Sequence, residues 1–208
     1  KHNSVVVGTG ISSEDVELNP HADYISVRGP ITAKVVAASG GPKIESFGDP
    51  GVLLSRLIPI ERATTNGRIA LVRHFTHRGI PLNLREDMDE LEVLMSHPHA
   101  IHEFIVKLAK YDRVVTSAMH VFITCQSYGI PCALVTFEGF ADAVHGSGIK
   151  YGDYARGAGL AHIDPSVVAL DLASFDLDNV TTHEKVSNEK LDEVEQAIRT
   201  SLSRFAKH

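Results

Sequence analysis

What most restricts the fold of this chain is a recurring pairing. Short apolar runs rich in β-branched residues alternate with stretches of helical spacing, the pattern of a parallel sheet covered by helices. Residues 4–8, 23–27, 43–47, 68–73, 91–95, 113–116 and 132–137 read as strands, and residues 31–39, 51–58, 100–110 and 120–128 as helices. Gly40-Gly41 and Gly129 stand where two of these helices should stop. The prediction is an α/β fold with a Rossmann-like parallel sheet flanked by helices. A last helix is expected over residues 188–207, with Leu191, Val194, Ile198 and Leu202 as its buried stripe. Residues 59–67, which include Thr64-Thr65-Asn66-Gly67, carry turn chemistry and mark the best domain boundary. Glycines 139, 146, 148, 152, 157 and 159 make residues 138–160 read as a loop-dominated region.

With 208 residues, 43% of them hydrophobic, the chain can bury roughly 70% of its unfolded surface and needs no disulfide or metal to fold. Cys125 and Cys132 have neither redox-pair nor zinc-ribbon spacing and read as buried, reduced thiols. The 26 acidic against 20 basic residues, net charge −6, exclude a broad nucleic-acid-binding surface. No apolar run approaches the ~18 residues that a membrane span needs, and the expectation is a cytoplasmic protein without an integral membrane segment.

Four segments could carry chemistry. Gly8-Thr9-Gly10 follows a strand and could begin a phosphate-binding turn, but the third glycine of a dinucleotide fingerprint is missing. Arg73-His74-Phe75-Thr76-His77-Arg78 follows the strand at 68–73, and open α/β sheets bind ligands at the carboxyl ends of their strands. Its guanidinium and imidazole groups suit a multiply charged anion. Ser117-Ala118-Met119-His120 has the same placement after the strand at 113–116, with His120 able to give or take a proton. His97, His99, His102 and Glu103 include zinc-ligand types, but Pro98 marks a helix start with histidines in its first turn, and no metal is expected. A hydrolase elbow of the form GxSxG does not occur.

Several segments in order resemble the polysaccharide pyruvyl transferase family. They are Val5-Val6-Val7-Gly8-Thr9-Gly10, Ser26-Val27-Arg28-Gly29-Pro30, Phe47-Gly48-Asp49-Pro50, the strand leading to His74, Val114-Val115-Thr116-Ser117-Ala118-Met119-His120, Tyr128-Gly129-Ile130-Pro131 and Lys150-Tyr151-Gly152-Asp153-Tyr154. The resemblance implies pyruvyl transfer from phosphoenolpyruvate to hydroxyls of a sugar or lipid-linked oligosaccharide in surface polysaccharide or exopolysaccharide synthesis. No cofactor is implied beyond that donor substrate, and a lipid-linked acceptor would bring the protein to the inner membrane surface.

The family's fold is similar to a two-domain GT-B transferase. On that basis residues 1–58 would end a first Rossmann-like half, or start a single α/β domain, and residues 67–208 would form a second half with the donor site. A missing N-terminal half or a homo-oligomer is compatible with that. The resemblance implies His120 and His74 as catalytic residues and Arg28 as a donor-binding residue; by their chemistry and position, Arg73, Arg78, Ser117, Lys150, Gly8 and Gly10 are the further candidates for donor binding. Ala118 stands where many members carry arginine, a charge that Arg73 or Arg78 would then supply. Two other readings are a glycosyltransferase using a nucleotide sugar and a noncatalytic binding domain of the same fold.

Overall fold

The computed structural model describes residues 4–62, 64–146 and 148–205. The described elements run β1 (Val5–Val6), β2 (Asp23–Tyr24), α1 (Pro30–Ala38), α2 (Leu54–Leu57), β3 (Ile69–Val72), β4 (Met88–Leu91), α3 (Pro98–Leu108), β5 (Arg113–Thr116), α4 (Met119–Tyr128), β6 (Cys132–Phe137), α5 (Ile149–Ala158), β7 (Ser166–Val168), β8 (Thr181–Thr182) and α6 (Asn188–Phe205). The fold is α/β, Rossmann-like, with parallel sheet and flanking helices, as the alternation predicts. The chain forms two compact units.

The first unit comprises the segment up to Leu53, Gly146–Asp164 and the segment from Val186. Parallel pairing of β1 with β2 is continued by single bridges from Thr9 to Val27 and from Val27 to Phe47. The strand expected at 43–47 is thus reduced to one bridge. Val27, Ala33, Val36 and Ile44 form the core beneath α1. Gly48, at φ 144°, lets α6 approach, since a Cβ there would lie 2.2 Å from Val194 Cγ2. In α6 the buried stripe is Val194, Ala197 and Ser201; of the expected stripe, Leu191 and Ile198 are half-buried and Leu202 is 62% exposed, and positions 206–207 of the expected helix lie outside the described residues.

The second unit comprises Leu54–His145 and Pro165–Lys185. Its strands lie in the order β4-β3-β5-β6-β7, all parallel, with β8 antiparallel to β6. All four residues of β3 are buried, as a central parallel strand requires. The core gathers Leu71, Val115, Val135, Phe137, Val168 and Leu172. At the end of α4, Gly129 adopts φ 65° and ψ 35° and its N–H donates to carbonyls of the last turn.

Three expectations are corrected. The strand placed at 91–95 lies earlier, at β4, because the charged pair Asp89-Glu90 tolerates a sheet edge, where Asp89 meets Arg68 and Glu90 meets Arg73. The helix expected over 51–58 is a 3-10 turn, Pro50–Leu53, followed by the single turn α2. The loop-dominated stretch 138–160 contains the ten-residue helix α5.

Candidate functional site

In the second unit the chain leaves β3 toward β4 on one side and later returns to place β5 on the other side of β3. Connections that diverge in this way open a crevice at the carboxyl ends of the two strands, the usual ligand position in an open α/β sheet. The residues following β3 and β5 are Arg73-His74 and Ser117-Ala118-Met119-His120. Two of the sequence-predicted segments therefore meet at this switch point.

The two exits are tied together. Thr116 Oγ1 donates to the Val72 carbonyl at 2.7 Å, and the His74 N–H donates to Ser117 Oγ at 2.9 Å. His74 N-caps a 3-10 turn, Phe75–His77, its Nδ1 accepting from the Thr76 N–H. Arg73 stabilises that turn from below, with Nη1 donating to the carbonyls of His77 (3.0 Å) and Ile80 (2.6 Å) while its other face pairs with Glu90. Arg78 is more exposed and pairs with Glu92 at 2.8 Å. His120 is exposed in the first turn of α4, which has no acidic residue there.

His77, to which the sequence assigns no individual role, is wholly buried. Its Nδ1 lies 2.9 Å from Ser117 Oγ and its Nε2 3.3 Å from the Phe140 carbonyl. A carbonyl only accepts, so Nε2 carries the proton and, in the neutral ring, Nδ1 accepts from the serine hydroxyl. Ser117 is itself 1% exposed.

A second cluster lies in the first unit. Arg28 Nε donates to Asp153 Oδ2 at 3.1 Å, the side chains being 9% and 0% exposed, and Nη2 donates to the Ile11 carbonyl. Asp153 also accepts from the N–H groups of Ile31 and Thr32 and from the Thr32 hydroxyl. These are first-turn amides of α1, whose N-cap is Gly29 and so has no side chain of its own to satisfy them. Asp153, from α5, supplies the missing cap and sits where the helix dipole favours a negative charge.

Gly29 and Gly157 are needed for this approach. A Cβ on Gly29 would lie 1.9 Å from the Asp153 carbonyl oxygen, and one on Gly157 1.9 Å from that of Arg28. Gly10 lies against the guanidinium, its ideal Cβ 2.2 Å from Arg28 Cζ. Gly8, at φ 62°, ends its strand with its N–H donating to the Ser26 carbonyl and hydroxyl. No helix follows between Gly10 and β2. Lys150 is half-buried over the Tyr151 ring, and desolvation, together with the Arg28 charge, lowers its pKa below the ordinary lysine value.

Elsewhere, His97, His99 and His102 stack at the start of α3, with His97 Nδ1 accepting from the Ala100 N–H as its cap. Cys125 and Cys132 are buried free thiols, and burial pushes the Cys132 thiol up. Among the described residues no helix is long and apolar enough to cross a membrane.

Sequence reasoning left Asp153 and His77 without roles. Both stood in segments already singled out, but neither a trans cap for a helix nor a buried imidazole can be told from an exposed residue by spacing alone.

Comparison with curated proteins and with solved structures gives no match. A family model, described as polysaccharide pyruvyl transferase, matches residues 1–138, which hold Arg28, His74, His77, Ser117 and His120 but not Lys150 or Asp153. With two thirds of its length matched, from the first strand through the switch point, the chain belongs to the polysaccharide pyruvyl transferase family.

Proposed function

We propose that this protein uses phosphoenolpyruvate, without a further cofactor, to build a pyruvyl ketal on sugar hydroxyls of a surface polysaccharide or its lipid-linked precursor, in the cytoplasm. The observation that carries the reading is His120, an exposed imidazole in the first turn of α4 at the switch point, within the family-matched region. In this reading His120 protonates the methylene carbon of phosphoenolpyruvate, making C2 cationic. One sugar hydroxyl adds to C2 and gives up its proton; a second displaces phosphate, so that two C–O bonds form, the C–O bond to phosphate breaks and inorganic phosphate leaves.

His74 and Arg78 lie on the facing turn and supply imidazole and guanidinium partners for the donor's phosphate and carboxylate. Arg73, held by two carbonyls and Glu90, serves by fixing that turn. In the first unit Arg28 is charge-paired with Asp153, and the half-buried Lys150, with Arg28 as its neighbouring cation, is the group that would favour an anion.

The test is titration of the full chain with phosphoenolpyruvate beside a panel of nucleotide sugars, followed by phosphate release with sugar acceptors. His120→Gln should keep donor binding and lose roughly 100- to 10,000-fold in turnover, the usual contribution of a positioned acid. Binding of a nucleotide sugar in place of phosphoenolpyruvate would move the protein to the glycosyltransferases, and donor binding without phosphate release would make it a binding domain.

A further inference from the structure

We infer that His77 is a positioning residue for the donor site, acting through Ser117 on the strand exits that present His74 and His120; this rests on the phosphoenolpyruvate reading above. His77 stands where three strand exits converge. It belongs to the turn after β3, its Nδ1 meets Ser117 after β5, and its Nε2 meets the Phe140 carbonyl after β6, while its ring packs edge-on against Phe137 at 5.3 Å. Ser117 completes the link, because the same Oγ that faces His77 accepts the His74 N–H.

The serine hydroxyl has one proton and is given one acceptor for it, so its orientation is fixed by which nitrogen of His77 is protonated. Phe140 decides that by accepting from Nε2. The imidazole thus sets the orientation of Ser117, and Ser117 sets the backbone of His74. His77 touches no reacting atom, being wholly buried. Donor-site geometry within a few tenths of an ångström depends on this kind of supporting hydrogen bond.

Two amide substitutions separate the links. His77→Asn keeps an acceptor at the Nδ1 position, facing Ser117, whereas His77→Gln keeps a donor near the Nε2 position, facing Phe140, and loses the acceptor for Ser117. Phosphoenolpyruvate is titrated into the full-length wild type and both variants by calorimetry, with thermal unfolding measured on each.

The expected result is binding by His77→Asn within about twofold of wild type, and binding by His77→Gln weaker by about tenfold, the effect of one misaligned charge-assisted hydrogen bond. Equal affinities in the two variants, whether both preserved or both lost, overturn the inference, since a merely structural histidine would not distinguish them. A wild type that does not bind phosphoenolpyruvate overturns the donor reading itself and takes the role of His77 with it.

Discussion

The two units bury polar side chains in different ways. The first holds a full ion pair, Arg28 with Asp153, joined across 125 positions of sequence and surrounded by α1 amides. The second holds a neutral pair, His77 with Ser117, 40 positions apart. Removing one member of a buried ion pair leaves an uncompensated charge, whereas removing one member of a neutral pair leaves an unmet hydrogen bond. The first arrangement is therefore the stronger lock, and the second holds an imidazole and a hydroxyl in fixed orientations by hydrogen bonds alone.

Breaking the ion pair should have the largest effect. Asp153→Ala is expected to lower stability by about 3–5 kcal/mol, because Arg28 is left buried and the first turn of α1 loses its cap; urea unfolding would measure it. The double variant Asp153→Ala with Arg28→Met should recover part of that loss, and failure to do so would mean that the missing cap outweighs the stranded charge. For the neutral pair, Ser117→Ala should cost only about 1–3 kcal/mol, the penalty of one unmet buried group.

Glycine substitutions in α5 sharpen the same contrast. Alanine in a helix interior normally stabilises by about 0.5–1 kcal/mol relative to glycine, and Gly152→Ala, with nothing within 4 Å of its ideal Cβ, should follow that rule. Gly157→Ala should reverse the sign and destabilise by roughly 1–3 kcal/mol, since its Cβ would press on the Arg28 carbonyl. Melting temperatures of the two variants moving in the same direction would break the argument.

The smallest effect is electrostatic. Burial first, and Arg28 second, lower the Lys150 pKa, so the folded protein sheds this proton before the unfolded chain does. Stability should then rise with pH from the lowered pKa up to the ordinary lysine value. Lys150→Met should remove that part of the slope and raise stability slightly at neutral pH, as unfolding curves across a pH series would reveal.

The elements that could be read from the sequence were those whose signal is local. β3, β5 and β6 are short runs dominated by apolar and β-branched residues, and α4 is closed by a glycine of fixed backbone conformation. Missed elements were shaped by distant contacts. α5 reads as loop because Gly157 lets it reach the Arg28 carbonyl, and β4 reads as polar because its charges meet Arg68 and Arg73. At the switch point the chemistry was legible as residue types in two segments. Which histidine faces inward was not, because His74 and His77 differ only in the turn that Arg73 fixes.

The 125 positions between Arg28 and Asp153 also set a schedule for synthesis. At about 5–20 residues per second, a ribosome takes roughly 6–25 s to add that much chain. Over that interval Arg28 lacks its partner and the first turn of α1 lacks its cap, so the buried ion pair of the first unit can form only once α5 has been made.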